Sequence, residues 1–315
     1  MPKYILYRFL TLIPVLLGVS ILVFSLFWVV PGDVVDIMTG DNSFGDPSAA
    51  AALRKSLNID KPFYLQYGLW LKNVLQGDLG VSFITGQRVA DEILRRLPVN
   101  FQMIAMAMVF IVIIGIPIGI LSAYRQFTWF DHVVRFATTL GYSIPNFWAA
   151  TIVVLLGSLY FKWLPVLNYV PFSENPLENI KSMLLPGFVL GLSTVAFVTR
   201  MARSSALDTL RQDYVRTARA KGASESVVLF IHVMKNSLIP VVTILGVQIG
   251  IMIGGFVLTE EVFVLPGVGS LLLMSIQQRD LIMATGGIMC LAVVNVIVNL
   301  LVDIVYTLLD PRIKY

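Results

Sequence analysis

The side chains best suited to contact a charged partner are concentrated in residues 213–240, which we call the polar island. Asp213 opens this stretch, and Arg216, Arg219 and Lys221 follow it closely. Guanidinium and ammonium groups form ion pairs and hydrogen bonds with carboxylates. The chemistry that this stretch offers is therefore recognition of a partner surface.

The polar island is predicted to form two short helices joined by a sharp turn. Residues 213–221 form the first helix, and Gly222 ends it because glycine readily adopts a left-handed conformation. Ser224 caps the second helix, with Glu225 at its positive end. In that helix Val227, Val228 and Ile231 are expected to face the bundle or a partner, and Glu225, Lys235 and Asn236 to face outward. Most helix connections are much shorter, so a docking element is favoured over a solvated loop.

The sequence lacks the common motifs of catalysis and metal binding. It contains no GxxxxGK[ST] phosphate loop and no GxSxG nucleophile turn. Its two histidines, His132 and His232, lie far apart and outside any HExxH pattern. We therefore expect a non-catalytic chain with no metal site and no cofactor of its own.

Side-chain amides are the main polar groups inside the long apolar segments. In lipid an amide must bond to another helix or face a wet cavity, and both roles stay open here. The candidates for a translocation path are Asn146, Gln248 and Asn295, and the further amides are Asn100, Gln102 and Asn299. Asp303 is expected to pair with a basic residue near a helix end. The segments themselves contain no carboxylate, which counts against an ion-coupled carrier.

Long apolar segments must position these residues. Of the 315 residues, 57% are hydrophobic and 13% charged, and a membrane span needs about 20 apolar residues. Six uncharged runs approach or exceed that length: 9–30, 99–124, 136–161, 182–199, 236–259 and 281–302. They predict an all-α membrane protein with six transmembrane helices rather than a barrel. Glycines and prolines within the runs predict close helix packing rather than hinges at 115–117, 143–145, 186–187 and 254–255.

Lysine and arginine orient the spans, because cytoplasmic connections are enriched in them. Seven crowd the connection between the fourth and fifth runs: Arg200, Arg203, Arg211, Arg216, Arg219, Lys221 and Lys235. The short connections on the other side hold only Lys162, Lys181 and Arg279. Both termini and the polar island are therefore predicted to be cytoplasmic. The island has no base-reading module, so nucleic acid is not an expected partner.

Residues 32–97, between the first two spans, carry helix signals of their own. Asp46-Pro47 starts a helix that continues to Lys55, and Pro62 starts a second one, which Gly77 ends. One face of the second helix holds Phe63, Tyr67, Trp70, Leu71 and Val74. A third helix, expected on the membrane interface, aligns Val89, Ile93, Leu94 and Leu97. The segment is either a cap on the bundle or a docking surface for a soluble partner.

Several motifs resemble the permease subunits of bacterial ABC importers, in the dipeptide, oligopeptide, nickel and glutathione permease family. The sequence DYVRTARAKG at 213–222, followed by His232, Asn236 and Pro240, resembles the cytoplasmic EAA loop of that family. The other matching stretches are GDLG at 77–80, SIPNFW at 143–148, PGVG at 266–269, RD at 279–280 and LDPR at 309–312. Arg216 and Thr217 stand where glutamate and alanine are usual, and Lys235 where proline is usual. This variant resembles the peptide and nickel branch.

The resemblance covers nearly the whole chain and implies a type I ABC importer permease fold. Residues 1–31 form an N-terminal span, 32–97 an extracytoplasmic segment and 98–310 a core of five spans. A coupling loop is implied at 207–237, with a coupling helix around 218–224 that fits a groove on an ATPase. The coupling residues that it indicates are Asp213, Tyr214, Arg216, Thr217, Ala218, Lys221, Gly222, Ala223 and Ser224.

The resemblance also implies an assembly in the bacterial inner membrane. A second homologous permease completes a heterodimer, two ATPase subunits bind ATP and Mg, and an extracytoplasmic binding protein delivers the solute. The implied function is ATP-driven import of di- and oligopeptides or a related small solute, with nickel chelates and glutathione still open. The alternative is an ion-coupled secondary transporter that acts without ATPase partners.

Overall fold

The computed structural model describes residues 2–29, 61–82, 84–161 and 169–309. Packing divides the chain into two compact units. The core unit comprises Val99–Leu265 and the chain from Ile297 onward, and the N-terminal unit comprises Pro2–Pro98 and Pro266–Val296. The three predicted domains stay a prediction, and the predicted helix at 46–55 lies outside the described residues.

Regular structure in the described residues is helical, apart from an isolated bridge between Val81 and Arg88. The α-helices are α1 (Pro2–Val29), α2 (Phe63–Leu75), α3 (Val89–Phe110), α4 (Ile116–Tyr124), α5 (Trp129–Ser143), α6 (Asn146–Leu156), α7 (Pro176–Leu210), α8 (Asp213–Ala220), α9 (Glu225–Val227), α10 (Met234–Val262), α11 (Val268–Gln277) and α12 (Leu281–Leu309). Short π-helical segments follow α3, α6 and α9, at Ile111–Gly115, Gly157–Phe161 and Val228–Val233. The all-α prediction is confirmed.

Five continuous helices in the described part of the chain are long and apolar enough to cross a membrane. They are Arg8–Trp28, Val89–Tyr124, Pro176–Leu210, Glu225–Val262 and Leu281–Ile304. The remaining predicted run, 136–161, is broken, because α5 and α6 meet at an angle of 104°. Pro145 has no N–H for the helical ladder and holds Ile144 extended, at φ −80° and ψ 124°.

In the N-terminal unit, an aromatic cluster joins α1 to α2. The Phe24 ring lies 5.4 Å, 5.6 Å and 5.4 Å from the rings of Phe63, Tyr67 and Trp70. The hydroxyls of Ser20 and Tyr67 are 2.8 Å apart. The predicted aromatic face of the second helix therefore packs on α1.

The stretch predicted to lie on the membrane interface is instead the start of α3. Val89 and Ile93 are buried in one cluster with Val268, Leu271 and Met283 of the same unit. Their apolar side thus packs against protein, and the helix continues without a break through α4. The stretch is therefore not a separate helix, and of its predicted apolar stripe Val89, Ile93 and Leu97 pack on protein whereas Leu94 is 65% exposed.

In the core unit, small residues bring helices close together. A Cβ at Gly119 of α4 would lie 2.5 Å from the Thr199 carbonyl oxygen of α7, and one at Gly187 would lie 2.6 Å from the Met106 side chain. Close packing is thus confirmed at 186–187. At Gly254 no described atom lies within 4 Å of the Cβ position, and at Gly255 the Leu190 side chain lies 3.9 Å from it. Within the described residues the packing at 254–255 is therefore looser than predicted.

Candidate functional site

Helix α8 presents most of the predicted coupling residues. It spans Asp213–Ala220, which confirms the predicted helix to within one residue. Asp213 and Arg216 are exposed, with charged groups 3.8 Å apart. Thr217 donates a hydrogen bond from its hydroxyl to the Asp213 carbonyl at 2.9 Å, and Lys221 is exposed at the end of the helix. One exposed surface therefore carries both charge signs.

A glycine turn ends α8. Gly222 has φ 81°, as predicted, and no described atom lies within 4 Å of its Cβ position. The Ala223 N–H donates to the Ala218 carbonyl at 3.2 Å, and the Gly222 N–H donates to the Arg219 carbonyl at 3.0 Å. These two bonds form a Schellman motif, which satisfies carbonyls at the helix end. The turn therefore needs the left-handed conformation at Gly222.

An ion pair bridges this turn. Arg219 donates from Nε to Glu225 Oε1 at 2.8 Å and from Nη2 to Oε2 at 3.1 Å. These hydrogen bonds raise the pKa of the Arg219 guanidinium above its ordinary value, so it stays charged. Both side chains are more than a third exposed, so the pair fixes the turn more than it stabilises the fold. Arg219 is thus engaged within the chain, whereas Arg216 and Lys221 extend outward.

The second helix of the polar island differs from the prediction. Ser224 takes the cap position, but its side chain makes no capping hydrogen bond. The helix is also not short, because it continues from Glu225 through the π-helical segment and α10 to Val262. The polar island therefore continues directly into the next long apolar helix.

The stretch 218–224, where the resemblance implied a coupling helix, is not helical throughout. Residues 213–220 are helical, and 221–224 form the turn. A left-handed Gly222 cannot continue a right-handed helix, which explains the break.

Tyr214 links α8 to the second helix. Its hydroxyl accepts a hydrogen bond from Asn236 Nδ2 at 2.8 Å. Among the apolar residues predicted to face the bundle or a partner, Val228 is buried, whereas Val227 and Ile231 are 39% and 58% exposed. The second helix thus contributes to both the core and the surface.

A buried apolar cluster anchors the polar island in the core unit. Val215 of α8 is fully buried, and it packs with residues of α4, α7 and the π-helical segment: Ile120, Ala123, Ala206, Val228 and Val233. Ala218 and Ala223, on either side of the turn, pack against the same cluster. Close-packed interiors transmit displacement, so a movement of α8 must shift its neighbours.

An ion pair that sequence analysis missed joins α5 to α7. Asp131 is fully buried and accepts hydrogen bonds from Arg203 Nε at 2.6 Å and Nη2 at 2.8 Å. Ser122 of α4 donates to it at 2.7 Å and the Phe127 N–H at 3.2 Å. Arg203 lies one helical turn before the anchoring cluster in α7. Sequence analysis could not have indicated this ion pair, because a single aspartate in a basic connection forms no motif with a recognisable spacing.

A cavity of about 310 Å³ opens at the bend between α5 and α6. Its lining consists of Tyr142, Ile144, Pro145, Asn146, Phe147, Ser193, Gly255 and Leu258. Asn146 Nδ2 lies 3.5 Å from the Leu190 carbonyl oxygen, and Asn146 Oδ1 is buried with no hydrogen-bond partner among the described residues. One residue predicted for the translocation path is therefore found in a cavity.

The other two residues predicted for the path are not brought to this cavity. Gln248 is half-buried in α10 of the core unit and is absent from the described lining. Asn295 is half-buried in α12 and belongs to the N-terminal unit. Their assignment to the path stays a prediction.

A buried carboxylate was also missed. Glu260, in the last turn of α10, is fully buried and accepts a hydrogen bond from Asn100 Nδ2 at 2.5 Å. Gln102 similarly donates to Asn179 of another helix. Glu260 follows directly after the predicted run 236–259, so the run itself holds no carboxylate, but the helix that contains it carries one. A span predicted from the extent of the helix, rather than from the extent of the uncharged run, would have included Glu260.

Motifs distant in sequence meet within the N-terminal unit. Gly80 has φ 88°, and Ser82, just after it, donates from its hydroxyl to Asp280. Asp280 also accepts the Met283 N–H at 3.1 Å and so caps α12. Val268 of the PGVG motif lies in the buried cluster of the same unit. These motifs therefore serve capping and packing.

The described ranges contain no group of three His, Cys, Asp or Glu residues that could hold a metal ion. His132 lies in α5 and His232 in the π-helical segment 228–233. Hydrogen bonding and ion pairing are the chemistry that these regions offer.

Known proteins resemble this chain along its whole length. Residues 115–315 match the family model described as binding-protein-dependent transport system inner membrane component, and residues 1–104 match the N-terminal model of the same system. A protein of Brucella abortus (strain 2308), named for a peptide transport system permease, is 40% identical over 315 residues, 100% of both chains. A dipeptide transport system permease protein of Alkalihalophilus pseudofirmus is 37% identical over 100% of both chains. A dipeptide transport system permease protein of Escherichia coli K12 is 35% identical over 100% of this chain and 99% of its own. This chain therefore belongs to the family of binding-protein-dependent inner membrane components, the permeases of ABC importers.

Proposed function

We propose that the chain is one of two homologous permeases in an ATP-driven importer of di- and oligopeptides or a related small solute. A binding protein delivers the solute, and two ATPase subunits that bind ATP and Mg dock on the coupling loop. Both termini of the chain are cytoplasmic, and the chain itself is not catalytic. The peptide class is supported by the names of relatives that match the whole chain.

The observation that carries this proposal is a docking element that the chain folds by itself. The Schellman turn at Gly222 fixes the end of α8, and Val215 anchors the helix in the core. Arg216 and Lys221 remain exposed beside this fixed turn. A surface that is already ordered loses little conformational entropy when a partner binds.

The same element explains how ATPase movement reaches the spans. Closing of the ATPases displaces α8, and the anchoring cluster passes this displacement to α4 and α7. The second half of the loop continues directly into α10. A nucleotide can drive such a change only if the two states of the complex differ in contact free energy.

Charge reversal in a reconstituted complex tests the proposal. The chain is co-expressed with its neighbouring transport genes, and copurification of ATPase subunits and ATP-driven uptake of a dipeptide are measured. The double variant Arg216→Glu, Lys221→Glu is expected to lose most of the copurifying ATPase. Lys72→Glu, an exposed charge reversal in α2, is the matched control and should retain it. Unchanged copurification in the double variant, or uptake driven by an ion gradient without ATPases, would contradict the proposal.

A further inference from the structure

We infer that the cavity at the bend between α5 and α6 binds a main-chain peptide group of the transported solute, with Asn146 Oδ1 accepting its N–H. This inference rests on the proposed function, because it assigns a place in the permease to the peptide that the complex imports. Asn146, Tyr142 and Ser193 provide the polar side chains of the cavity.

The unpaired oxygen of Asn146 indicates a ligand with a hydrogen-bond donor. Buried polar atoms in proteins almost always have a partner, because desolvation without one is unfavourable. Asn146 Nδ2 faces the Leu190 carbonyl at 3.5 Å, and rotating the amide by half a turn would place two acceptor oxygens together. Oδ1 is therefore the atom left for a ligand donor.

The start of α6 indicates that the donor is a neutral amide rather than an ammonium group. The first N–H groups of a helix have no partner within it, and Pro145 supplies no side-chain cap here. These N–H groups carry partial positive charge, which attracts acceptors and repels cations. A peptide group offers both requirements, since its N–H can bond to Asn146 Oδ1 while its carbonyl accepts from the start of α6.

The rest of the lining fits a solute whose side chains vary. Ile144, Phe147 and Leu258 are apolar and carry no hydrogen-bonding side chain. A volume of about 310 Å³ lies at the small end of ligand sites, which span roughly 300–1,000 Å³, so the cavity holds one part of a peptide. Recognition of the main chain at this site is independent of peptide sequence.

Removing the N–H from the solute and the acceptor from the protein tests this contact. ATP-driven uptake of a dipeptide and of its ester analogue, in which oxygen replaces the amide N–H, is measured with the complete reconstituted complex. Each rate is divided by the occupancy of the binding protein with that solute and by the amount of assembled complex. One hydrogen bond predicts that the wild-type complex prefers the amide by about tenfold.

Removing the acceptor from the protein should remove this preference. Asn146→Leu and the smaller Asn146→Ala are expected to abolish the preference by slowing amide uptake only. An unchanged amide preference in the leucine and alanine variants would overturn the inference while leaving the proposed function intact. A wild-type complex that assembles but imports no peptide would refute the proposed function and the inference with it.

Discussion

At Gly222 the backbone conformation, rather than the space around it, restricts the residue type. The position has φ 81° and an open Cβ site, so a side chain would fit sterically but would hold the turn in a strained conformation. The left-handed region costs an ordinary residue about 1–2 kcal/mol, and asparagine less. Relief of this strain would rotate α8 relative to the helix that begins at Glu225.

Substitutions at Gly222 should therefore separate ATP hydrolysis from uptake. Gly222→Val and Gly222→Trp are expected to insert and assemble but to import less solute per ATP hydrolysed, because the turn is displaced. Gly222→Asn should retain most of the coupling. Gly68→Ala, an open helical position in α2, is the control. Uptake and ATPase rates in proteoliposomes provide the measurement, and normal coupling in Gly222→Val or Gly222→Trp would show that the turn geometry is unimportant.

The buried Asp131–Arg203 pair should matter more for stability than the exposed pair in α8. Asp131→Asn leaves the guanidinium of Arg203, 19% exposed, without its ionised partner. Loss of one member of such a pair typically costs about 3–5 kcal/mol, so the thermal unfolding temperature in detergent should fall. Asp213→Asn removes an exposed partner of Arg216 at 3.8 Å and should leave that temperature unchanged. Equal effects of the two variants would mean that burial does not set the strength of these pairs.

At the scale of elements, the first helix of the polar island was predictable and the second was not. Gly222 is a strong local stop signal, so the end of α8 can be read from the sequence. Ser224 and Glu225 resemble a helix start, but a local signal cannot show how far a helix continues. Counting uncharged residues also ended the following span before Glu260, whose burial depends on Asn100, distant in the chain.

Val215 should control whether α8 remains docked on its cluster. Val215→Ala removes two buried methyl groups, which is expected to cost about 2 kcal/mol of local stability. Hydrogen exchange at the amides of 213–222 should accelerate, and less ATPase should copurify. Thr217→Ala, on the exposed side of the same helix, serves as the control for hydrogen exchange only, because its hydroxyl bonds only to the Asp213 carbonyl in the described structure and Thr217 is itself a predicted coupling residue. Similar exchange in both variants would exclude Val215 as the anchor.

At the scale of the whole molecule, the class of fold followed from composition, whereas the two compact units did not. The N-terminal unit includes Pro266–Val296, a segment far from its other residues in sequence. Contacts such as Ser82 with Asp280 create this association, and neither residue type nor spacing predicts them. The cavity at Asn146 likewise requires the bend that Pro145 produces.

Labelling of introduced cysteines decides the number of membrane crossings, once the single cysteine of the chain has been replaced. In a Cys290→Ser background, Lys221→Cys and Lys72→Cys are labelled with an impermeant maleimide from either side of the membrane. If the bent pair α5 and α6 crosses the membrane, three crossings separate the two residues. In that case Lys221→Cys is labelled from the cytoplasmic side and Lys72→Cys from the opposite side. We expect this result. Labelling of both from one side would make the bent pair a re-entrant loop.

Under the proposed function, the continuous helix from Glu225 to Val262 would serve as a lever. Its 38 residues, at 1.5 Å of rise each, extend about 57 Å from the coupling loop to the opposite end of α10. If the helix tilts without bending, a rotation of about 5° at one end moves the other by about 5 Å over that length. The ATPases would then need to supply only a small angular stroke, because the length of the arm amplifies it.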